Sequence, residues 1–393
     1  MISVKVLRKV AFIALPAGLV AAIVMAVLVE AWVRWSWDAT RGVPGFFVTD
    51  AARGQRLAEN YDGWFAGVPV RTNRFGFRST REDRLEKAPN TFRILVLGDS
   101  VTFGHGAVHD YPALLEDALR RWRPDIDWQV WNLGVPGYNT AQELTYLEQV
   151  GRQYSPDLVV VGFFLNDIIA NAVPHQPGVA ARASAAALAF AQRHWYSYEF
   201  YKRVVLTLAW RLSTNDSVRQ RVESLETEEK LSATQQSLAE ANHQQITPFD
   251  LQPPGTPPRA CPDAMVPSAK DLAEMQQRDD WAPFVEAVRG FQALHAAGTY
   301  RIAFFLNIVP PVCPDGDWFY DARSLENAYF VQLFGQGTPV VSAYDRFLRA
   351  KPSQMPLAEA HSIGNSNQLK ADVLFDFLRE SGLLSAGGMP PHH

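Results

Sequence analysis

The sequence predicts an α/β fold, a three-layer α/β/α sandwich with a parallel central sheet, extended by an N-terminal apolar helix and a helical insertion. Three observations carry that expectation. Short β-prone runs recur at residues 94–97, 128–131, 301–309 and 339–344, with another beginning at 158; the first reads ILVL, as a strand buried on both faces does. Segments of helical spacing lie among them: 111–121 with Leu114, Leu115, Ala118 and Leu119, 141–153 with Leu144, Leu147 and Val150, and 281–297 with Trp281, Phe284, Val288, Phe291 and Leu294. Strand and helix alternate, which sets the strands parallel and puts helices on both faces.

Taken in order, the chain opens with Lys5, Arg8 and Lys9 ahead of an uncharged run at 10–29, VAFIALPAGLVAAIVMAVLV. At about 1.5 Å per residue a helix of that length matches a hydrocarbon core of roughly 30 Å. The expectation is a transmembrane anchor over 10–31 with residues 1–9 cytoplasmic, since positive charge stays inside. Trp32, Trp35 and Trp37 would then sit at the outer interface, which indole rings prefer. A cleaved signal peptide is the competing reading, opposed by the length of the run and the lack of a small-x-small site before Trp32. Residues 32–90, broken by glycines and prolines, read as an extracytoplasmic connector, within which 81–87, REDRLEK, is a solvated run.

The next segment, 91–106, is the one around which the rest is organised. Its strand ends at Gly98, and a small-residue turn follows that would expose the Ser100 hydroxyl, with Asp99 bracing the turn. Groups at the carboxyl ends of parallel strands are where open α/β sheets place their chemistry. Beyond the strand at 158 comes an insertion, 169–280, with Leu188, Ala191, Trp195, Tyr198, Tyr201, Val205, Leu208 and Leu212 on a single helical face. That stripe would pack on the core, form a lid or lie against a membrane. Residues 219–245 are polar and 252–268 proline-rich, the latter a loop. A helix at 367–379 closes the domain at about 385, and the tail 386–393 is expected to be disordered.

The run GDSVTFGHG around Ser100 resembles the first motif of the SGNH hydrolases, the GDSL-like esterases and lipases. Three further blocks resemble the same family in order. WNLGVPGYNT at 131–140 matches its strand-then-loop with an oxyanion glycine, here Gly137. LVVVGFFLNDI at 158–168 matches its G-x-N-D block, with Asn166 in the asparagine position and Phe164 where glycine is usual. AEAHSIGNSNQLKADVLFDFL at 358–378 matches its closing loop and helix, with His361 as the base. There Ala358 stands where the family has aspartate, and Ser362 replaces the common proline. NRFGFR at 73–78 is similar to a segment ahead of this motif in membrane-anchored bacterial relatives; packing of Phe75 and Phe77 is the expected role.

The resemblance implies acyl transfer through Ser100, with an oxyanion hole built from the backbone N–H groups of Ser100 and Gly137 and the side-chain amide of Asn166. A serine hydroxyl is a weak nucleophile until a base takes its proton, and imidazole titrates in the right range. Glu359 is the carboxylate nearest His361 in sequence and the candidate orienter; the alternative is a Ser-His dyad.

Thirty-seven Lys and Arg against 41 Asp and Glu give a net charge of −4, with no basic excess to suggest nucleic acid as a partner. Cys261 and Cys313 could pair in an oxidising compartment or remain separate thiols. Neither has metal-ligand spacing, and no cofactor is expected. The reading is a single-pass inner-membrane esterase with its catalytic domain in the periplasm, acting on small acyl esters of an envelope or exported glycan. An O-acyltransferase and a catalytically impaired envelope binding protein are the alternatives.

Overall fold

A computed structural model describes residues 4–37, 44–79, 81, 83–169, 178–212, 244–259, 261, 269–358 and 361–384. The first helix, α1 (Val4–Ser36), runs past both ends of the expected span and keeps Pro16 within it. Its apolar side chains stand open, with Leu19, Ile23, Val27 and Leu28 all more than half exposed.

The connector carries two short hairpins. β1 (Phe47–Asp50) pairs antiparallel with β2 (Gly54–Leu57), and β3 (Asp62–Phe65) with β4 (Val68–Arg71). Phe46, Val48, Leu57, Val68, Val70 and Phe77 join the main core. Strands of four residues are too short to display alternation in the sequence. The run 81–87 is also tied down: Asp83 is buried and accepts from Asn73 Nδ2 at 2.6 Å, and Arg81 pairs with Glu116. The buried Arg93 guanidinium donates to the carbonyls of Arg84 and Leu85.

From residue 91 the elements follow the predicted alternation: β5 (Thr91–Gly98), α2 (Ser100–Phe103), α3 (Tyr111–Trp122), β6 (Asp127–Gly134), α4 (Thr140–Tyr154) and β7 (Leu158–Phe163). A 3-10 turn (Leu165–Ile168) leads to the insertion helices α5 (Val179–His194), α6 (Ser197–Leu212) and α7 (Ala269–Gln276). Then come α8 (Trp281–Ala296), β8 (Ile302–Leu306), α9 (Ser324–Phe334), β9 (Val340–Ser342) and α10 (Tyr344–Leu348). The two-residue pair β10 (Leu357–Ala358) and β11 (His361–Ser362) precedes α11 (Asn365–Glu380). The expected single stripe over 188–212 is therefore two helices, broken at Trp195 and Tyr196. Most of 219–245, residues 262–268 and the tail 386–393 lie outside the described residues.

The central sheet has five strands in the order β6-β5-β7-β8-β9, all parallel. Strand alternation divides the interior between its faces. Leu95, Leu97, Val159, Val161 and Phe304 face α4, α8, α9 and the two hairpins, whereas Ile94, Val96, Val160, Ala303 and Phe305 face α3, α10 and α11. Cys261 and Cys313 form a disulfide with Cα atoms 5.8 Å apart, tying the proline-rich loop to the segment after β8.

Candidate active site

Three loops leave the carboxyl ends of the adjacent strands β6, β5 and β7, and each carries one of the predicted groups. At the end of β5, a Cβ on Gly98 would collide with the Thr102 side chain and stand 2.9 Å from the Gly162 carbonyl oxygen, so only glycine fits. Asp99 caps the next turn, its Oδ1 accepting from Val101 N at 2.8 Å. The one-turn helix α2 therefore starts at Ser100. The expected exposed hydroxyl is in fact mostly covered, Ser100 being 8 % exposed. The cover is His361.

His361 Nε2 lies 2.9 Å from Ser100 Oγ across 261 residues of sequence. It is carried by β11, where it pairs with Ala358 of β10. The start of α11 is bound to the same region, with Ser366 Oγ donating to Pro356 O at 2.8 Å and Asn367 Nδ2 to His109 O at 2.9 Å. Glu359, the candidate orienter, lies outside the described residues.

A second histidine, His105, stacks on His361 with ring centroids 4.4 Å apart and planes at 21°, and Phe65 meets its edge. The sequence reading assigned His105 no role. Its only signal was position, just past the turn that begins at Ser100 and ends at Gly104, which is left-handed (φ +84). Arg78 was read there only as part of a packing segment. It fixes the same loop by donating Nη1 to the carbonyls of Phe103 and Gly104, at 2.9 and 2.8 Å, and Nη2 to Ala107 at 2.6 Å. Its Nε faces Asp110 at 3.3 Å, both side chains being buried.

Gly137 follows β6, which pairs with β5 through Gly98 opposite Gly134. Its left-handed backbone (φ +81) turns the loop back towards α4, where Asn139 and Gln142 form a reciprocal capping box. The β1–β2 hairpin holds this loop from outside: Gln55 Nε2 donates to Pro136 O at 2.9 Å and Tyr138 Oη to Gln55 O at 2.7 Å.

Asn166 sits in the 3-10 turn after β7, and its Nδ2 donates to Asp99 Oδ2 at 3.1 Å. The same carboxylate oxygen is 3.2 Å from Ser100 Oγ. One hydroxyl proton thus has two neighbours to choose between, and it reaches the nearer one, His361 Nε2, when that nitrogen is unprotonated. Phe164 adopts an extended backbone (φ −130) that any residue allows, so the departure from glycine there costs no strain. Its N–H donates to Asp167 Oδ2 at 2.7 Å.

Beneath Asp99 the site is polar and closed. Burial, and then the charge of Asp99, hold the Glu143 carboxyl well above the usual carboxylate range. Asp167 is raised first by burial, then by Asp99 and Glu143. Lys370 of α11 is pulled down by burial to about 7, with Asp99 opposing the shift. Among the described residues no group of three or more His, Cys, Asp or Glu side chains could hold a metal ion. A surface hollow of about 840 Å³, lined by Arg71, Arg74, Arg81 and Arg84 among others, takes in none of the site residues.

The family profile described as GDSL-like Lipase/Acylhydrolase matches residues 96–296, just over half of the 393 residues. No curated protein matches the sequence. Among solved structures, a two-domain esterase active on acetylated mannans is 11 % identical over 77 % of this chain and 52 % of its own, with a TM-score of 0.35. The chain thus spans about half the length of that protein. LAE5, an alpha/beta hydrolase enzyme from the metagenome of Lake Arreo in Spain, is 14 % identical over 77 % of this chain and 99 % of its own, at a TM-score of 0.35. An acetyl xylan esterase from Geobacillus stearothermophilus is 12 % identical over 76 % of this chain and 97 % of its own, at 0.34.

Proposed function

We propose, from the premise that the chain belongs to the GDSL-like lipase/acylhydrolase family and is an ester-bond hydrolase, that it works through an acyl-enzyme on Ser100 with His361 as its base. The observation that carries this reading is the 2.9 Å contact between Ser100 Oγ and His361 Nε2. Ser100 Oγ attacks the ester carbonyl carbon as its proton passes to Nε2. The resulting oxyanion is met by the N–H groups of Ser100 and Gly137 and by the Asn166 amide, whose bond to Asp99 leaves its second N–H for this purpose. Collapse sends the imidazolium proton to the departing alkoxide and leaves the acyl group on Oγ. Water then attacks that ester, giving its proton to Nε2, and the second collapse returns the proton to Oγ as the carboxylic acid leaves.

The orienter of His361 is Glu359 in this reading, with the His105 ring stacked on the imidazole from the other side of the sequence motif. The enzyme is anchored by α1 in the inner membrane with its hydrolase domain outside the cytoplasm. Two observations support the anchor and the compartment. The far end of α1 is bonded into the folded domain, Glu30 accepting from Ser197 Oγ at 2.6 Å, Ser197 N at 2.9 Å and Tyr196 N at 3.1 Å, whereas a cleaved signal peptide leaves. The Cys261–Cys313 disulfide suits an oxidising compartment. The substrate is a small acyl ester of an envelope or exported glycan, the class of ester that such a location offers.

The test is a serine-reactive fluorophosphonate on the detergent-purified full chain, with turnover of p-nitrophenyl acetate measured with and without sugar acceptors. Wild type is labelled at Ser100 and releases acetate, while Ser100→Ala loses label and turnover with its thermal midpoint unchanged. Label-free wild type, or an active Ser100→Ala, sinks the assignment. Release of p-nitrophenol that depends on an acceptor, with the acetyl group recovered on the sugar, would make the enzyme a transferase.

A further inference from the structure

The insertion helix α6 presents an apolar face that no other described part of the chain covers. At about 100° per residue, Tyr201, Val204, Val205, Leu208 and Leu212 fall within one arc of roughly 100°. Val205 is 63 % exposed, Leu208 52 % and Leu212 82 %. Lys202, whose Nζ also pairs with Glu199 at 3.3 Å, and Arg211 flank this stripe on its two sides, while Arg203 falls on the opposite side of the helix. The 16 residues of α6 make a helix of about 24 Å, shorter than the roughly 20 apolar residues a membrane span requires.

Where α6 begins is fixed by α1. Trp32 meets Phe200 edge-on at 6.0 Å and Trp37 meets Tyr196 at 5.0 Å. Arg34 Nη2 donates to His194 O at 2.7 Å, and Glu30 receives the three bonds from Tyr196 and Ser197 described above. Val33, the one buried residue of the apolar segment Pro16–Ser36, also lies at this end. The apolar stripe of α6 therefore starts level with the tryptophans that end the apolar length of α1.

We infer that α6 lies in the plane of the outer leaflet of the bilayer that α1 crosses. Its stripe is seated at the boundary between acyl chains and headgroups, and the flanking Lys202 and Arg211 reach lipid phosphates. The inference rests on the anchor reading and adds a second, in-plane contact to it. That contact would bear on the active site through packing already described: α5, joined to α6 at Trp195 and Tyr196, bonds to β1 through Gln192 and Thr49 at 2.8 Å, and the β1–β2 hairpin holds Pro136 beside Gly137. The bilayer would thus fix how the oxyanion loop faces its surroundings.

The test uses the full chain in nanodiscs of phosphatidylcholine with 30 % phosphatidylglycerol, nitroxide-labelled in turn at Leu19→Cys, Leu208→Cys and Lys351→Cys, the native disulfide being inert to the label. Collisional relaxation by oxygen and by a water-soluble nickel chelate reports depth, and ester turnover of each labelled protein reports folding. The expected result is high oxygen and low nickel access at positions 19 and 208, with 208 shallower, and the reverse at 351. Lipid access at 19 with water access at 208 overturns the α6 contact and leaves the anchor standing. Water access at 19 overturns both. Shelter from both relaxants at 208 means that protein, a second copy or another segment, covers the stripe, and overturns the inference as well.

Discussion

Asn166 is the residue whose role is most exposed to test, because its amide is already engaged. Nδ2 is bonded to Asp99, and Oδ1 is buried with no hydrogen-bond partner. If its remaining N–H serves the oxyanion, Asn166→Ala should lower kcat by about 10²- to 10³-fold with little change in KM, since an oxyanion donor acts mainly in the transition state. Steady-state hydrolysis of p-nitrophenyl acetate measures this. A loss under tenfold would leave Asn166 only the task of bracing Asp99. Ser100, Asp99 and Asn166 were legible in the sequence because each belongs to a short contiguous block at a strand end. His105 was not, since its partner His361 lies far along the chain and stacking leaves no mark on spacing. The triad acid stayed open for the opposite reason: the position that usually supplies it holds a methyl group.

At the scale of elements, Arg78 links a segment read only for its packing to the loop that follows Ser100. Its guanidinium supplies donors to the carbonyls that close α2 and faces the buried Asp110 carboxylate. Removing one partner of a buried pair costs about 3–5 kcal/mol, because the other charge is left without compensation. Arg78→Met should therefore lower unfolding stability by that order in denaturant titration. Arg78→Lys should recover only part of the loss, since one ammonium cannot reproduce the planar fork. The same variants should lower kcat, because the loop they release carries His105. Helices α3, α4 and α8 were legible from their spacing, and α11 from the closing block, within a few residues of their observed ends. The hairpins of 47–71 were missed because alternation over four residues is indistinguishable from loop sequence. The α5–α6 break was missed because the stripe runs through Trp195 without a proline or glycine to mark it.

For the whole molecule, the parallel sheet with a core on each face was readable from the alternation of runs, but the charges buried where those layers meet were not. Lys370 on α11 comes to lie near Asp99 only when the α11 layer closes on the end of β5. An amine whose pKa falls from 10.5 to about 7 on folding binds fewer protons folded than unfolded throughout that window. Stability from this group is thus fully present above pH 10.5 and is lost as pH falls through about 7. Each pH interval of one across which the unfolded chain holds one more proton is worth roughly 1.36 kcal/mol. The native state should therefore gain about 2 kcal/mol between about pH 7 and about pH 9 from Lys370 alone. Glu143 and Asp167, raised by burial, act in the opposite sense, losing stability as pH rises through their folded values. A comparison with Lys370→Met isolates the lysine, because the acids contribute to both proteins. Unfolding free energies measured from about pH 7 to about pH 9 should climb more steeply in wild type than in Lys370→Met, the two curves diverging by that amount. Parallel curves would mean that the amine keeps its charge in the folded protein.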